Sequence, residues 1–221
     1  MIKIYLNPLL IKSTERMKKL LSILIILLPV WVISQPKCTI ESFAGQDRKA
    51  AKTSIVVAVQ EVFNSLPALI KTLPADDYMR GYEPPITKDS SSQRVEEEQR
   101  SVFVKTAYIF VIYREGDNDY HVIIGSNSDT SKALLMNVEV SGLPDKSSPD
   151  YVVLNEVRDK IVGKFGKICN TKKLCIDKPV KISVSGSLFY DIDHKPGRVG
   201  YKNLKPKTAW EIHPVTDIVF K

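Results

Sequence analysis

The stretch "VFVKTAYIFVIY" at residues 102–113 indicates a β-strand, because it is a run of β-branched and aromatic residues. The polar sequence "REGDND" at 114–119 follows it and is typical of a turn. Two further runs of the same kind come next, "YHVIIGS" at 120–126 and "KALLMNVEV" at 132–140. We therefore predict three consecutive strands joined as a meander.

A helix and two more strands are predicted after this meander. Residues 151–168, "YVVLNEVRDKIVGKFGKI", have apolar residues at helical spacing with charges between them. The strands are "VKISVSGSLFYDI" at 180–192 and "TAWEIHPVTDIVF" at 208–220, joined by a basic loop at 193–207. The order β-β-β-α-β-β is that of the OB-fold, a five-stranded Greek-key barrel. An open α+β sheet with the helix on one face is the alternative.

The region before residue 101 has a different apolar spacing and composition from the strands that follow it. Residues 46–72 carry a helical apolar pattern that predicts one or two short helices, broken at Pro67. Residues 76–101 are rich in proline, serine and charge, which predicts a long mobile connection. A chain of 221 residues fits one ordinary domain. We therefore expect a helical and loop extension at 35–100 and a mainly β barrel domain at 101–221.

The beginning of the chain has the pattern of a signal peptide. From Met17, "MKKLLSILIILLPVWVIS" has two lysines, an apolar run and a small final residue. The apolar run is about 14 residues long, shorter than the roughly 20 that a transmembrane helix needs. We predict that residues 1–34 are removed and that the protein is exported to the periplasm or beyond, with no stable membrane anchor. An uncleaved transmembrane anchor is the rival interpretation.

The net charge gives little support to nucleic-acid binding. The whole chain carries +7, but residues 1–34 hold five basic residues and one acidic residue, so only +3 remains for the rest. A protein that binds nucleic acid through electrostatics shows a stronger basic excess. A nucleic-acid partner therefore stays a weakly supported prediction, and the ligand is left open.

The three cysteines exclude a zinc site built from four thiolates. Cys169 and Cys175 bracket the short sequence "CNTKKLC", and in an oxidising compartment we predict a disulfide between them. Two unpaired thiols are the alternative. Cys38 is left over near the start of the mature chain.

Each of the three histidines lies close to carboxylates. Strand alternation puts Glu211 and His213 on one face of the last strand, and Asp119 and His121 on one face of the second. If the strands meet as in an OB barrel, these groups converge with those of three further positions: Glu139, Asp191 and His194.

Imidazole and carboxylate groups brought together can bind a divalent metal or share a proton for acid–base catalysis. The candidate catalytic residues are His121, His194 and His213, and the candidate binding residues are Asp119, Glu139, Asp191 and Glu211. The candidate metal ligands are His121, Asp191, His194 and His213. The simpler interpretation is that the same residues form hydrogen-bonded pairs on the surface or hydrogen bonds between strands. The chain has no HExxH, CxxC or glycine-rich phosphate motif.

Four blocks of the sequence also carry a resemblance: "GDNDYHVII" at 116–124, "LMNVEV" at 135–140, "VSGSLFYDIDH" at 184–194 and "EIHPVTDI" at 211–218. In this order they resemble "DGDxHLVL", "MIxE", "VxGxxFFDxxH" and "ELHPVxDI" of a family of small, often exported and largely uncharacterised bacterial proteins. The resemblance implies the barrel architecture and the same seven candidate positions, and it implies no activity. The chain departs from the family at "MNVEVS" and in a longer, more basic loop after His194.

Three functions are consistent with these observations. The first is an exported OB-like binding module with a polar site of histidines and carboxylates. The second is a metal-assisted hydrolase, acting for example on phosphodiesters, in which the histidines would serve as ligands or acid–base groups. The third is structural, with the same residues only tying strands together. Whether the protein is an enzyme stays open at this point.

Overall fold

The computed structural model describes residues 40–169 and 173–221. The predicted signal peptide and Cys38 lie outside these ranges. No helix within them is long and apolar enough to cross a bilayer.

Five long strands and one helix make up the main body. They are β2 (Ser101–Arg114), β3 (Tyr120–Gly125), β4 (Leu135–Val140), α4 (Tyr151–Phe165), β5 (Leu174–Tyr190) and β6 (Trp210–Phe220). Short elements precede them: α1 (Lys49–Lys52), β1 (Glu61–Phe63), α2 (Leu66–Ile70), α3 (Asp76–Arg80) and a 3₁₀ turn (Glu96–Glu98).

The five strands form a closed mixed barrel. The strand order is β1-β2-β3-β4-β6-β5, and β2 also pairs with β5, which closes the sheet. Most neighbours are antiparallel, whereas β4 and β6 run parallel. The predicted element order is confirmed, and the open-sheet alternative is wrong because of the β2–β5 pairing.

The barrel interior is built from every second residue of the strands. Tyr120 and Val122 of β3 and Trp210 and Ile212 of β6 are buried in one apolar core. Helix α4 adds Val157 and Ile161 to that core, as its helical spacing predicts. The residues between these positions therefore lie on the outer face of the barrel, which is where the predicted polar residues belong.

Residues 46–72 are only partly helical. The helices α1 and α2 have four and five residues, and residues 55–60 between them have no regular secondary structure. There Val57 and Val59 are exposed, so the apolar spacing does not form a helical face. Pro67 lies in the first turn of α2 instead of breaking it, because the first turn does not need its missing N–H.

The segment predicted to be a mobile connection is instead held on the barrel by buried charges. Glu98 is fully buried and pairs with Arg48, with Arg48 Nη1 donating to Glu98 Oε1 at 2.8 Å. Arg94 donates to the carbonyl oxygens of Leu188 and His213 at 3.1 and 2.6 Å. The composition of this segment did not reveal these contacts, since each of them joins residues distant in sequence.

The predicted disulfide between Cys169 and Cys175 does not form. Cys175 is a free, exposed thiol, and Cys169 is disulfide-bonded. Cys175 lies in β5, which begins at Leu174, and is paired with Val111 of β2.

Candidate functional site

An open cleft of about 590 Å³ lies against the outer face of the barrel. Its walls come from three parts of the chain: the turn between β2 and β3, the loop between β5 and β6, and the residues around α1. His121 of β3 and Glu139 of β4 line it from the barrel side. The cleft therefore meets the strand face that carries the predicted polar residues.

Strand register explains why polar side chains gather on this face. His121 of β3 is the cross-strand partner of Glu139 of β4. In the parallel pair of β4 and β6, Asn137 lies beside Glu211. Two residues further along both strands, the same parallel register brings Glu139 next to His213. Three neighbouring strands thus contribute to one cluster.

Asp119, Glu139 and His213 form the centre of this cluster, called the triad below. His213 Nδ1 lies 2.9 Å from Glu139 Oε2, and His213 Nε2 lies 3.4 Å from Asp119 Oδ2. All three side chains are buried. Each offers one potential metal-ligand atom within 4.8 Å of the others.

A second layer of contacts surrounds the triad. His121 Nε2 lies 2.9 Å from Glu139 Oε1. Asn137 Nδ2 donates to Glu139 Oε1 at 2.7 Å and to Glu211 Oε1 at 2.8 Å. The sequence showed no sign of a role for Asn137, because an asparagine within an apolar strand has no characteristic partner spacing.

Burial and neighbouring charges together set the pKa values of the groups in the cluster. Burial raises the pKa of Asp119 and of Glu211 well above the usual range, and neighbouring carboxylates add to the effect. Burial would also raise the pKa of Glu139, but His121 and His213 outweigh it and hold that pKa well below the usual value. Burial disfavours the charged form of His121, yet Glu139 raises its pKa to about 9. Glu139 is thus the carboxylate that stays ionised.

Several atoms of the cluster lack hydrogen bonds. Within residues 40–169 and 173–221, neither ring nitrogen of His213 has a hydrogen-bond partner, nor do Asp119 Oδ2 and Glu139 Oε2. The 2.9 Å approach of His213 to Glu139 is therefore a close contact of opposite polarity without hydrogen-bond geometry. The structural interpretation requires buried histidines whose nitrogens are all hydrogen-bonded, and His213 does not meet that requirement.

Asp191 and His194 form a separate pair at the cleft. Asp191 Oδ1 accepts backbone N–H groups of Asp193 and His194 at 2.9 and 3.3 Å, and Asp191 Oδ2 contacts His194 Nδ1. This contact raises the pKa of His194. The His194 side chain is 51% exposed, so its ring is accessible from solvent.

Lys52 of α1 is a cleft residue that sequence reasoning missed. Its Nζ lies 3.8 Å from Asp117 Oδ2. Burial disfavours its charge, but Glu139, Asp119 and Asp117 raise its pKa above the usual value. Lys52 is more than sixty residues before Asp117 in the chain, so no local motif could have linked them.

The predicted site residues therefore separate into two groups. Five of them belong to the buried cluster: Asp119, His121, Glu139, Glu211 and His213. Asp191 and His194 form the pair at the cleft. Of the four predicted metal ligands, only His213 belongs to the triad, whose other members are the carboxylates Asp119 and Glu139.

The chain has no match among protein-family models, curated proteins or solved structures. A function for this protein is therefore inferred from its own geometry and charge.

Proposed function

We propose that the protein is a binding module of the OB type that takes a positively charged ligand in the cleft. The strand order supports the OB assignment. In the barrel, the first strand pairs with the second and fourth, and the third strand runs parallel to the fifth. The helix lies between the third and fourth barrel strands, as in OB-folds.

The position of the cleft supports a binding role. OB-folds bind ligands on a strand face flanked by the loops that follow the first and fourth strands. The corresponding loops here are residues 115–119 and 191–209, and both contribute to the cleft. The ligand would therefore lie where this architecture offers an open surface.

The charge of the lining is the observation that carries the proposal. Six carboxylate residues line the cleft, against three lysine or arginine residues and two histidines, His121 and His194, whose pKa values are raised. The lining is therefore acidic by a small margin. The acidic residues are Asp47, Glu115, Asp117, Glu139, Asp191 and Asp193, and the basic ones are Lys52, Lys173 and Arg198. An acidic cleft with low-dielectric walls concentrates cations and repels polyanions. A nucleic acid is therefore a poor candidate ligand for this cleft.

A comparison of two probes tests the proposal. We expect isothermal titration calorimetry to detect binding of spermidine and none of a ten-nucleotide single-stranded DNA at the same ionic strength. Glu115→Gln removes one lining charge and should weaken spermidine binding. Asp129→Asn, in the exposed loop between β3 and β4 and outside the lining, is the matched control. Preferential binding of the DNA would refute the proposal.

A hydrolase is the second candidate, and the pair of Asp191 and His194 favours it. A histidine held through Nδ1 by a carboxylate, with its ring accessible at a cleft, has the arrangement of a general base. In that case His194→Gln would abolish hydrolysis of a phosphodiester such as bis(4-nitrophenyl) phosphate, whereas Asp129→Asn would leave it unchanged. Absence of hydrolysis by the unmodified protein would leave the binding module as the function.

A further inference from the structure

We infer that Asp119, Glu139 and His213 bind one divalent transition-metal ion at the floor of the cleft. The inference rests on the proposed function, since it names the cation and the residues that hold it. It concerns the triad alone and assigns no role in it to Asp191 or His194.

The donor set fits such an ion. Two carboxylates and one imidazole offer ligand atoms within 4.8 Å of one another. They come from three elements that the barrel holds side by side: the end of the β2–β3 turn, β4 and β6. Hydrogen-bonded strands set the backbone spacing of β4 and β6, and a rotation that brings both carboxylates to one ring nitrogen of His213 would complete the donor set.

The unpartnered atoms are an independent observation that points to a cation. His213 is fully buried, and both of its ring nitrogens lack hydrogen bonds within the described part of the chain. The carboxylate oxygens closest to it, Asp119 Oδ2 and Glu139 Oε2, lack them as well. Buried polar atoms without partners are uncommon and costly. Glu139 Oε2 lies at Nδ1 of the ring and Asp119 Oδ2 lies at Nε2. A neutral imidazole has one nitrogen with a free lone pair, so a metal ion would take that nitrogen and one oxygen from each carboxylate.

The second carboxylate oxygen of Asp119 and of Glu139 accepts a hydrogen bond from the protein. Asp119 Oδ1 accepts the Gly142 N–H at 2.5 Å, and Glu139 Oε1 accepts from Asn137 at 2.7 Å. Each carboxylate thus has one oxygen held by the protein and one oxygen facing His213. Partners that orient metal ligands in this way are typical of metal sites.

The backbone at His213 is fixed too. Its carbonyl oxygen accepts a hydrogen bond from Arg94 at 2.6 Å, and Arg94 also holds the carbonyl of Leu188 on the neighbouring strand. The N-terminal segment therefore contributes to positioning the imidazole, although it supplies no ligand.

The ligand types narrow the choice of ion. Mixed nitrogen and oxygen donors suit Zn²⁺, Mn²⁺ or Fe²⁺. Ca²⁺ requires six to eight oxygen ligands, so three side chains that include an imidazole suit it poorly. Glu139 also lines the cleft, which gives an ion a route from solvent to the triad.

Titration of the purified, chelator-treated protein with Zn²⁺ tests the inference. We expect one Zn²⁺ per chain by calorimetry, and visible absorption bands of tightly bound Co²⁺ when Co²⁺ replaces it. Glu139→Gln keeps the shape of the side chain and should weaken Zn²⁺ binding more than about tenfold, since even residues that only orient ligands contribute 10–100-fold. Asp119→Asn should act in the same direction, and circular dichroism of both variants checks that they fold.

Glu115→Gln is the matched control, because Glu115 lines the cleft outside the triad. It should weaken spermidine binding and lower the affinity for Zn²⁺ much less than Glu139→Gln does. Equal loss of Zn²⁺ affinity in Glu115→Gln and Glu139→Gln would overturn the site, because it would mean diffuse attraction by the cleft. Spermidine binding without Zn²⁺ binding would overturn the metal inference alone, whereas binding of neither cation would overturn the proposed function as well.

Discussion

Two buried charged clusters of this protein differ in how completely their atoms are hydrogen-bonded. Glu98 accepts from Arg48 at both carboxylate oxygens, and each oxygen also accepts a backbone N–H, from Tyr190 at 2.8 Å and Val95 at 2.8 Å. In the triad, His213 is equally buried but its ring makes no hydrogen bond with any described residue.

This difference is the observation on which the proposed metal site rests. The Arg48–Glu98 pair joins the N-terminal segment to β5, and its carboxylate has four hydrogen bonds, so it has no capacity left for a ligand. The triad is equally buried, and its close contacts between His213 and the two carboxylates lack hydrogen-bond geometry. Burial of charge alone therefore does not point to a ligand, whereas buried polar atoms without hydrogen bonds do.

The largest expected effect is on the structural cluster. Glu98→Leu leaves the Arg48 guanidinium buried without its carboxylate, and we expect a loss of about 3–5 kcal/mol in the free energy of unfolding. Urea denaturation measures it, with the exposed neighbour Glu96→Gln as the control, expected within about 0.5 kcal/mol of the unchanged protein. The double variant Arg48→Met with Glu98→Leu should regain part of the loss. A loss below 1 kcal/mol in Glu98→Leu would remove the contrast between the clusters.

The next effect concerns the triad and the metal ion proposed to bind there. At a free Zn²⁺ concentration 100 times its dissociation constant, the free energy of unfolding should rise by about 2.7 kcal/mol. A chelator should reverse the rise, and Glu139→Gln should show none at the same Zn²⁺ concentration. Urea denaturation with and without Zn²⁺ measures both. An equal rise in Glu139→Gln would contradict the assignment of Glu139 as a ligand.

The pair of Asp191 and His194 differs from both clusters, because Asp191 is buried whereas the His194 side chain is 51% exposed. Its contact raises the pKa of His194, so the stabilisation is complete below the pKa of the unfolded chain, about 6.5. It is lost as pH rises through the higher pKa of the folded state. Nuclear magnetic resonance titration of the ring should show a pKa above 6.5 that falls in Asp191→Asn. Identical titration curves for the two proteins would contradict the pairing.

The smallest effect is expected at a partly exposed ion pair that belongs to neither cluster. Arg100 donates to both oxygens of Glu61 at 2.7 and 2.8 Å, and this lowers the pKa of Glu61. The stabilisation is present above the pKa of the unfolded chain and is lost as pH falls toward the lower pKa of the folded state. Glu61→Gln should cost less than about 1 kcal/mol at pH 7, since the Glu61 side chain is 41% exposed. The difference from the unchanged protein should shrink near pH 3, and a constant difference would exclude this ion pair as its cause.

Strand alternation was enough to predict much of the barrel and of the site. The apolar and β-branched runs identified all five barrel strands and α4, because periodicity is a local property of the chain. The same alternation put Glu211 and His213 on one face, opposite Trp210 and Ile212, and those two residues do lie in the core. The candidate positions were thus readable without knowledge of the fold.

Long-range pairing could not be read in the same way. The triad depends on the parallel register of β4 and β6, which no residue pattern in either strand specifies. Residues 76–101 were predicted to be mobile from their composition, yet Arg94 and Glu98 bind them to β5 at Leu188 and Tyr190, more than ninety residues later in the chain. The alternation of residue types along each strand determined which groups face outward. The closure of the barrel determined which of these groups come into contact, because contacts between distant segments form only when the whole sheet is assembled.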